Sequence, residues 1–205
     1  MTIDDTISAN VLIGIAVWCV VYTVDYALTI TGARLFKRYV GEHIKIDGSY
    51  ALNPIFQSDV DRLRWISPRF LLYLTITAVY LLIIADFFKD PRFFVVVLGA
   101  LMLIEVPVYF RHFQNLRLAL ILRQDAAMAQ GQITYKRPLS YYLIALDFLF
   151  FGVLWLILAL ASGSIFLLGG ALGCLIEMLR FYRLGLRAQR AEDTRAQTVS
   201  QTESA

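Results

Sequence analysis

Long apolar blocks alternate with polar connections along this chain. The blocks cover 11–32, 68–88, 93–112, 140–161 and 165–184. About 20 helical residues, rising 1.5 Å each, cross the hydrocarbon core of a bilayer. The pattern therefore predicts an all-α, five-span transmembrane helical bundle, a single integral membrane domain over 1–187. Connections 89–92 and 162–164 are short, so spans two and three, and spans four and five, are expected to form tight antiparallel hairpins. Loops 33–67 and 113–139 are longer. The tail, 188–205, is rich in Ala, Glu, Thr, Gln and Ser, buries almost nothing and is expected to be disordered.

The longer loops have patterns of their own. Glu42-His43-Ile44-Lys45-Ile46 alternates, Asp47-Gly48 is a two-residue turn, and Ser49-Tyr50-Ala51-Leu52 follows, which predicts a β-hairpin. Gln132-Ile133-Thr134-Tyr135-Lys136, set off by Gly131, is a candidate third strand. Asn53-Pro54 has the form of a helix N-cap and N1, with Phe56, Val60 and Leu63 on one face and Ser67-Pro68 beyond. That segment suits a linker helix setting the angle of span two, ahead of a helix lying on the inner membrane surface. Residues 115–130 carry no breaker, so span three is expected to project out of the membrane.

Composition and charge sharpen the picture. The hydrophobic share is 59% and the mean hydropathy +0.63, above the roughly 45–50% apolar of ordinary globular chains. All the Lys and Arg residues except Lys89 and Arg92 fall in the two long loops, at their edges, or after span five. The positive-inside rule then assigns an inner (cell) membrane protein with its N-terminus outside and C-terminus cytoplasmic. The first ten residues carry Asp4 and Asp5 but no Lys or Arg, so the first block is expected to stay as a helix rather than leave as a signal peptide. Net charge of +3 follows from the membrane bias and gives no argument for nucleic acid. Cys19 and Cys174, both within spans, behave as small hydrophobes.

Candidate chemistry lies in four intramembrane carboxylates, Asp25, Glu105, Asp147 and Glu177, in four different spans. An ionisable group at such depth marks a functional site by default. Counting residues to the inner edge places each about 9–11 Å from it, on one level. Helical spacing aligns Tyr22, Asp25, Thr29 and Gly32 on span one, and Arg69, Tyr73, Thr77 and Tyr80 on span two. Glu105, Tyr109 and His112 share a face on span three, where Pro107 opens the backbone. On span five, Gly169, Gly173 and Glu177 align, and their Gly-x-x-x-Gly spacing invites close helix approach. Asp147 has only apolar helical neighbours and needs a partner from another helix.

Four unpaired acids would cost on the order of 10 kcal/mol, so they must be protonated, paired or metal-bound. Pairing would use Arg69, Arg111, Arg180 and Arg183, reaching inward from the interface. A transporter or channel would use the acids as a cation or proton cluster, supported by Thr29, Tyr73, Thr77, Tyr109 and His112. An intramembrane enzyme with His112 or His43 assisting is disfavoured, because no nucleophile, metal-protease or phosphate-binding motif is present. No cofactor is expected, and the identity of any metal stays open. Leu103-Ile104-Glu105 with Tyr109-Phe110-Arg111, and Leu175-Ile176-Glu177 with Phe181-Tyr182-Arg183, form a faint internal repeat.

Asp25-Tyr26-Ala27-Leu28-Thr29, followed by Gly48-Ser49-Tyr50-Ala51-Leu52-Asn53-Pro54, resembles an Asp-x-x-x-Thr … Glu-x-Asn-Pro pattern of small prokaryotic multi-pass membrane-protein families, with Ala51 at the glutamate position. The resemblance implies that Asp25, Thr29, Asn53 and Pro54 belong together; it carries no activity. The resulting expectation is a non-enzymatic protein of the lipid bilayer that conducts, transports or senses a small cation or proton. The alternative is a membrane scaffold or assembly factor with structural ion pairs. Either could form a homo-oligomer or bind a membrane partner.

Overall fold

The computed structural model describes residues 3–47, 50, 53 and 55–203. Helices α1 (Ile3–Ala9), α2 (Val11–Leu35), α3 (Gln57–Asp61), α4 (Pro68–Phe87), α5 (Pro91–Leu103), α6 (Glu105–Gln124), α7 (Arg137–Ser162) and α8 (Ile165–Glu203) build an all-α bundle. Five segments are long and apolar enough to cross a membrane: Val11–Val40, Pro68–Phe87, Pro91–Gln124, Arg137–Ser162 and Ile165–Thr194. Large apolar side chains such as Leu12, Ile83, Phe150 and Leu160 point outward. That surface is compatible with a multi-pass membrane protein, in which lipid replaces water around the bundle.

Local chemistry explains the ends of the elements. Ser67 caps α4 by accepting from Phe70 N, with Pro68 in the first turn; Asp90 caps α5 from Arg92 N, with Pro91 beside it. Gly163, at φ 71°, ends α7 in the left-handed conformation that glycine adopts without a Cβ penalty. The cap of α8 comes from far away in sequence. Asp4 Oδ2 accepts from Ile165 N at 2.9 Å, and Asp4 Oδ1 accepts from Ser164 Oγ at 2.9 Å and Phe166 N at 3.3 Å. A carboxylate there satisfies orphan donors and opposes the positive end of the helix dipole.

Glycines bring α5 and α8 into close contact. A Cβ on Gly169 would lie 2.0 Å from the Val96 carbonyl oxygen, and one on Gly99 would lie 2.1 Å from that of Phe166. Gly173, one turn on, is similarly tight against Ala100 and Ile104. The Gly-x-x-x-Gly spacing thus acts as expected, letting two backbones approach within a packed seam. Next to it, Ile15, Trp18, Leu81, Ile84, Phe94, Val95, Leu98 and Phe166 form a buried cluster joining α2, α4, α5 and α8.

The long loops differ from the sequence expectation. Strand β1 (Ile44–Ile46) pairs in parallel with β2 (Ile133–Tyr135), in the register Ile44 to Ile133. The candidate third strand therefore pairs directly with the first, joining the two loops; most of the expected hairpin return, at 48, 49, 51 and 52, lies outside the described residues. Span one also runs further than predicted, through a π-helical turn at Phe36–Val40. The linker helix is a single short turn, α3, with Phe56 and Val60 buried against Tyr26 and Phe70. Asp59, 4% exposed, holds that corner by accepting from Ser67 Oγ at 2.6 Å and lying 3.5 Å from Arg64.

Two helix ends also differ. Span three does project beyond its apolar block, but stops at Gln124, because Asp125 turns the chain into a short 3₁₀ turn at Ala126–Met128 and caps it from Ala127 N. The tail expected to be disordered continues α8 to Glu203. Its Ala, Arg, Gln and Glu residues are strong helix formers, and Tyr142 donates to Gln189 at 2.9 Å while Lys136 lies 3.8 Å from Glu192.

The glycine seam yields a direct test. Gly169→Val should force α5 from α8 and lower stability by about 1–3 kcal/mol, the cost of overpacking a filled site. Thermal unfolding in detergent measures it, with Gly41→Ala as control because its Cβ would come no closer than 3.6 Å to a neighbour. Equal melting of both variants would remove the seam from the account.

Candidate functional site

The backbone break after Leu103 positions the site. Pro107 has no N–H for the Leu103 carbonyl four residues back, and α5 gives way to α6 across Ile104. The freed carbonyl faces Cys174 Sγ of α8 at 3.9 Å. Before the break the chain packs on α8; after it, the chain packs on α2. Tyr109 donates to the Val21 carbonyl, and His112 Nε2 lies 2.9 Å from Asp25 Oδ1 and 3.2 Å from Thr29 Oγ1. The face predicted from spacing, Glu105-Tyr109-His112, is the face turned toward α2.

Where the packing changes, a cavity of about 620 Å³ opens, and all four predicted acids line it. Thr29, Tyr73, Thr77 and His112 line it as well. Asn53, which the family resemblance groups with Asp25 and Thr29, lines the same space; Pro54 lies outside the described residues. Tyr109 stands apart, its hydroxyl committed to the α2 backbone.

The acids meet different partners. Asp147 receives Arg111 from α6, through Nε at 3.1 Å and Nη2 at 3.0 Å. Glu177 accepts from Arg180 of its own helix at 3.0 and 3.1 Å. Asp25 takes His112, and an Nε2–H aimed at the carboxylate is the tautomer that satisfies it. His112 Nδ1 is then left buried with no hydrogen-bond partner among the described residues. Glu105, 7% exposed, has no hydrogen bond or ion pair among the described residues.

Two expectations need correction. Arg69 does not reach an acid of the cluster; it donates to the Ile55 carbonyl and Ser58 Oγ, bracing the α3 corner. Arg183 is exposed and pairs with none of the acids among the described residues, because three residues along a helix turn Arg180, not Arg183, toward the cavity that Glu177 lines. α2 and α6 run parallel in the register set by Val21 with Tyr109 and Asp25 with His112. Glu105, seven residues before His112, begins α6 and lies within electrostatic reach of Tyr22, Asp25 and Glu177. Only the first halves of the faint repeat lie side by side, where Gly173 abuts Ala100 and Ile104 just before Glu177 and Glu105; past the break α6 turns to α2.

Some polar groups here gave no sequence signal. Asn115 donates to the Tyr50 hydroxyl at 3.2 Å at the loop end of the cavity, and Tyr50 sits so near Gly32 that a Cβ there would lie 2.6 Å from its oxygen. Burial pushes the Tyr50 phenol up, against the lowering effect of the Asn115 hydrogen bond, so it stays a neutral hydroxyl. No three His, Cys, Asp or Glu side chains among the described residues converge tightly enough to hold a metal ion. Comparison with family models, with curated proteins and with solved structures finds no match.

The Arg111–Asp147 bridge joins α6 to α7 with both side chains partly exposed to the cavity. A double-mutant cycle of Arg111→Gln and Asp147→Asn should give a coupling of about 1 kcal/mol in detergent thermal unfolding. Strict additivity would show that the bridge contributes no coupling.

Proposed function

We propose that the protein moves or senses protons through this cavity, with Glu105 and the Asp25–His112 pair as the groups that take up and release them. One observation carries the reading: a nearly buried carboxylate with no partner among the described residues opens onto a polar-lined cavity, which also contains a histidine whose buried second nitrogen meets none among them. Static structural charge is normally paired. A proton suits the site better than a chelated metal ion, which needs several convergent ligands. The charge asymmetry of the loops supports placing the cavity in the inner half of a cell membrane, with the N-terminus outside.

A second reading has its own support. Arg111 with Asp147, joining α6 to α7, is the kind of pair a scaffold would use to hold helix register, and the strand pairing of the two loops offers such a scaffold a partner surface.

Proteoliposomes carrying an internal pH dye separate the two. Under an imposed potential, wild-type vesicles should pass protons faster than protein-free ones, and Glu105→Gln should return the rate to the protein-free level while leaving the protein folded. Wild-type vesicles as tight as empty liposomes, under proton and several cation gradients, would leave the scaffold.

A further inference from the structure

The cavity is far larger than a proton relay requires. A volume of about 620 Å³ falls inside the range of about 300–1,000 Å³ typical of small-molecule sites. Charge accounting around it does not balance. Four carboxylates line it against two guanidiniums, Arg111 and Arg180. Each guanidinium is already engaged, by Asp147 and Glu177, and His112 faces Asp25. Glu105 is the acid left over. It is also more than nine-tenths buried, opens onto the cavity and has no partner among the described residues.

What surrounds that acid is aromatic. Tyr22 lies within electrostatic reach of Glu105 and lines the cavity with it, and Trp18 stacks on Tyr22 at 5.2 Å between ring centroids. Tyr22 in turn stacks on Phe70 at 5.5 Å, and Phe70 on Tyr26 at 4.4 Å. Trp18, Tyr22 and Tyr26 of this column line the cavity together with Phe148 and Phe181 from the opposite helices. Aromatic faces attract cations, and a desolvated carboxylate beside them supplies the counter-charge. An anion would meet the surplus acid instead.

We infer that the cavity binds a lipophilic organic cation, its charged centre at Glu105 and its apolar body against the Trp18–Tyr22 wall. The inference rests on the proposal that this cavity is the working site, and it names the substrate class of that site. Its size and apolar walls suit a bulky, delocalised or alkyl-substituted cation; a compact hydrated ion would leave most of the space unfilled.

Two probes of one shape and opposite charge test it: tetraphenylphosphonium and tetraphenylborate. Binding to detergent-purified full-length protein is read by equilibrium dialysis, and by tryptophan fluorescence with Trp18→Phe as the assignment control. Saturable binding of tetraphenylphosphonium with none of tetraphenylborate is expected. Glu105→Gln should weaken it by about tenfold or more, whereas Glu105→Asp should retain part of it. Equal binding of both probes, or binding untouched by Glu105→Gln in a folded protein, overturns the inference. If Glu105→Gln fails to fold, the wild-type contrast between the probes decides by itself. Proton flux in vesicles reports separately. Flux without saturable cation binding overturns the substrate class alone; saturable, charge-selective binding without flux upholds it and removes the transport reading.

Discussion

One missing hydrogen bond organises the half of the molecule that holds the cavity. Pro107 cannot donate to the Leu103 carbonyl, so the third span cannot continue as one regular helix past Ile104. Its first part stays pressed on α8 through Gly99, Gly169 and Gly173, and its second part follows α2 through Tyr109 and His112. The cavity lies where one packing partner is exchanged for another. Without the glycine seam the first half would not be held, and without the proline the second would have no reason to leave.

The same constraint distributes the charges. On the α6 side of the break, Arg111 and His112 are adjacent residues facing different neighbours, one toward Asp147 on α7 and the other toward Asp25 on α2. Helical geometry turns successive side chains about a quarter of a circle apart, so adjacent residues serve two walls of one cavity. Glu105, at the break itself, meets no cation among the described residues. Its isolation follows from its place at the start of α6.

At the two ends of the bundle, charge is used for closure. Asp4 reaches across from the first helix to cap α8, tying the N-terminal turn to the start of the last span. Asp59 ties α3 to Ser67 and Arg64 at the base of α4, and Tyr26 of α2 donates to the Arg64 carbonyl at 2.8 Å. These acids act as hydrogen-bond acceptors at chain corners, and their partners explain their burial.

Much of this architecture was legible along the chain, for a simple reason. Apolar length, breaker residues and glycine spacing act locally, so the five long helices, the short hairpin turns and the α5–α8 seam follow from residues near one another in sequence. The face of α6 was equally legible, because helical periodicity is local. The acids could be recognised as anomalous from their apolar neighbours alone. Their partners could not, since Asp147 and Arg111 are 36 residues apart and Asp25 and His112 are 87 apart. Nor could the parallel register of the strands from the two loops or the capping by Asp4. Those depend on helix register, and register is decided only when side chains from distant segments pack against each other in three dimensions.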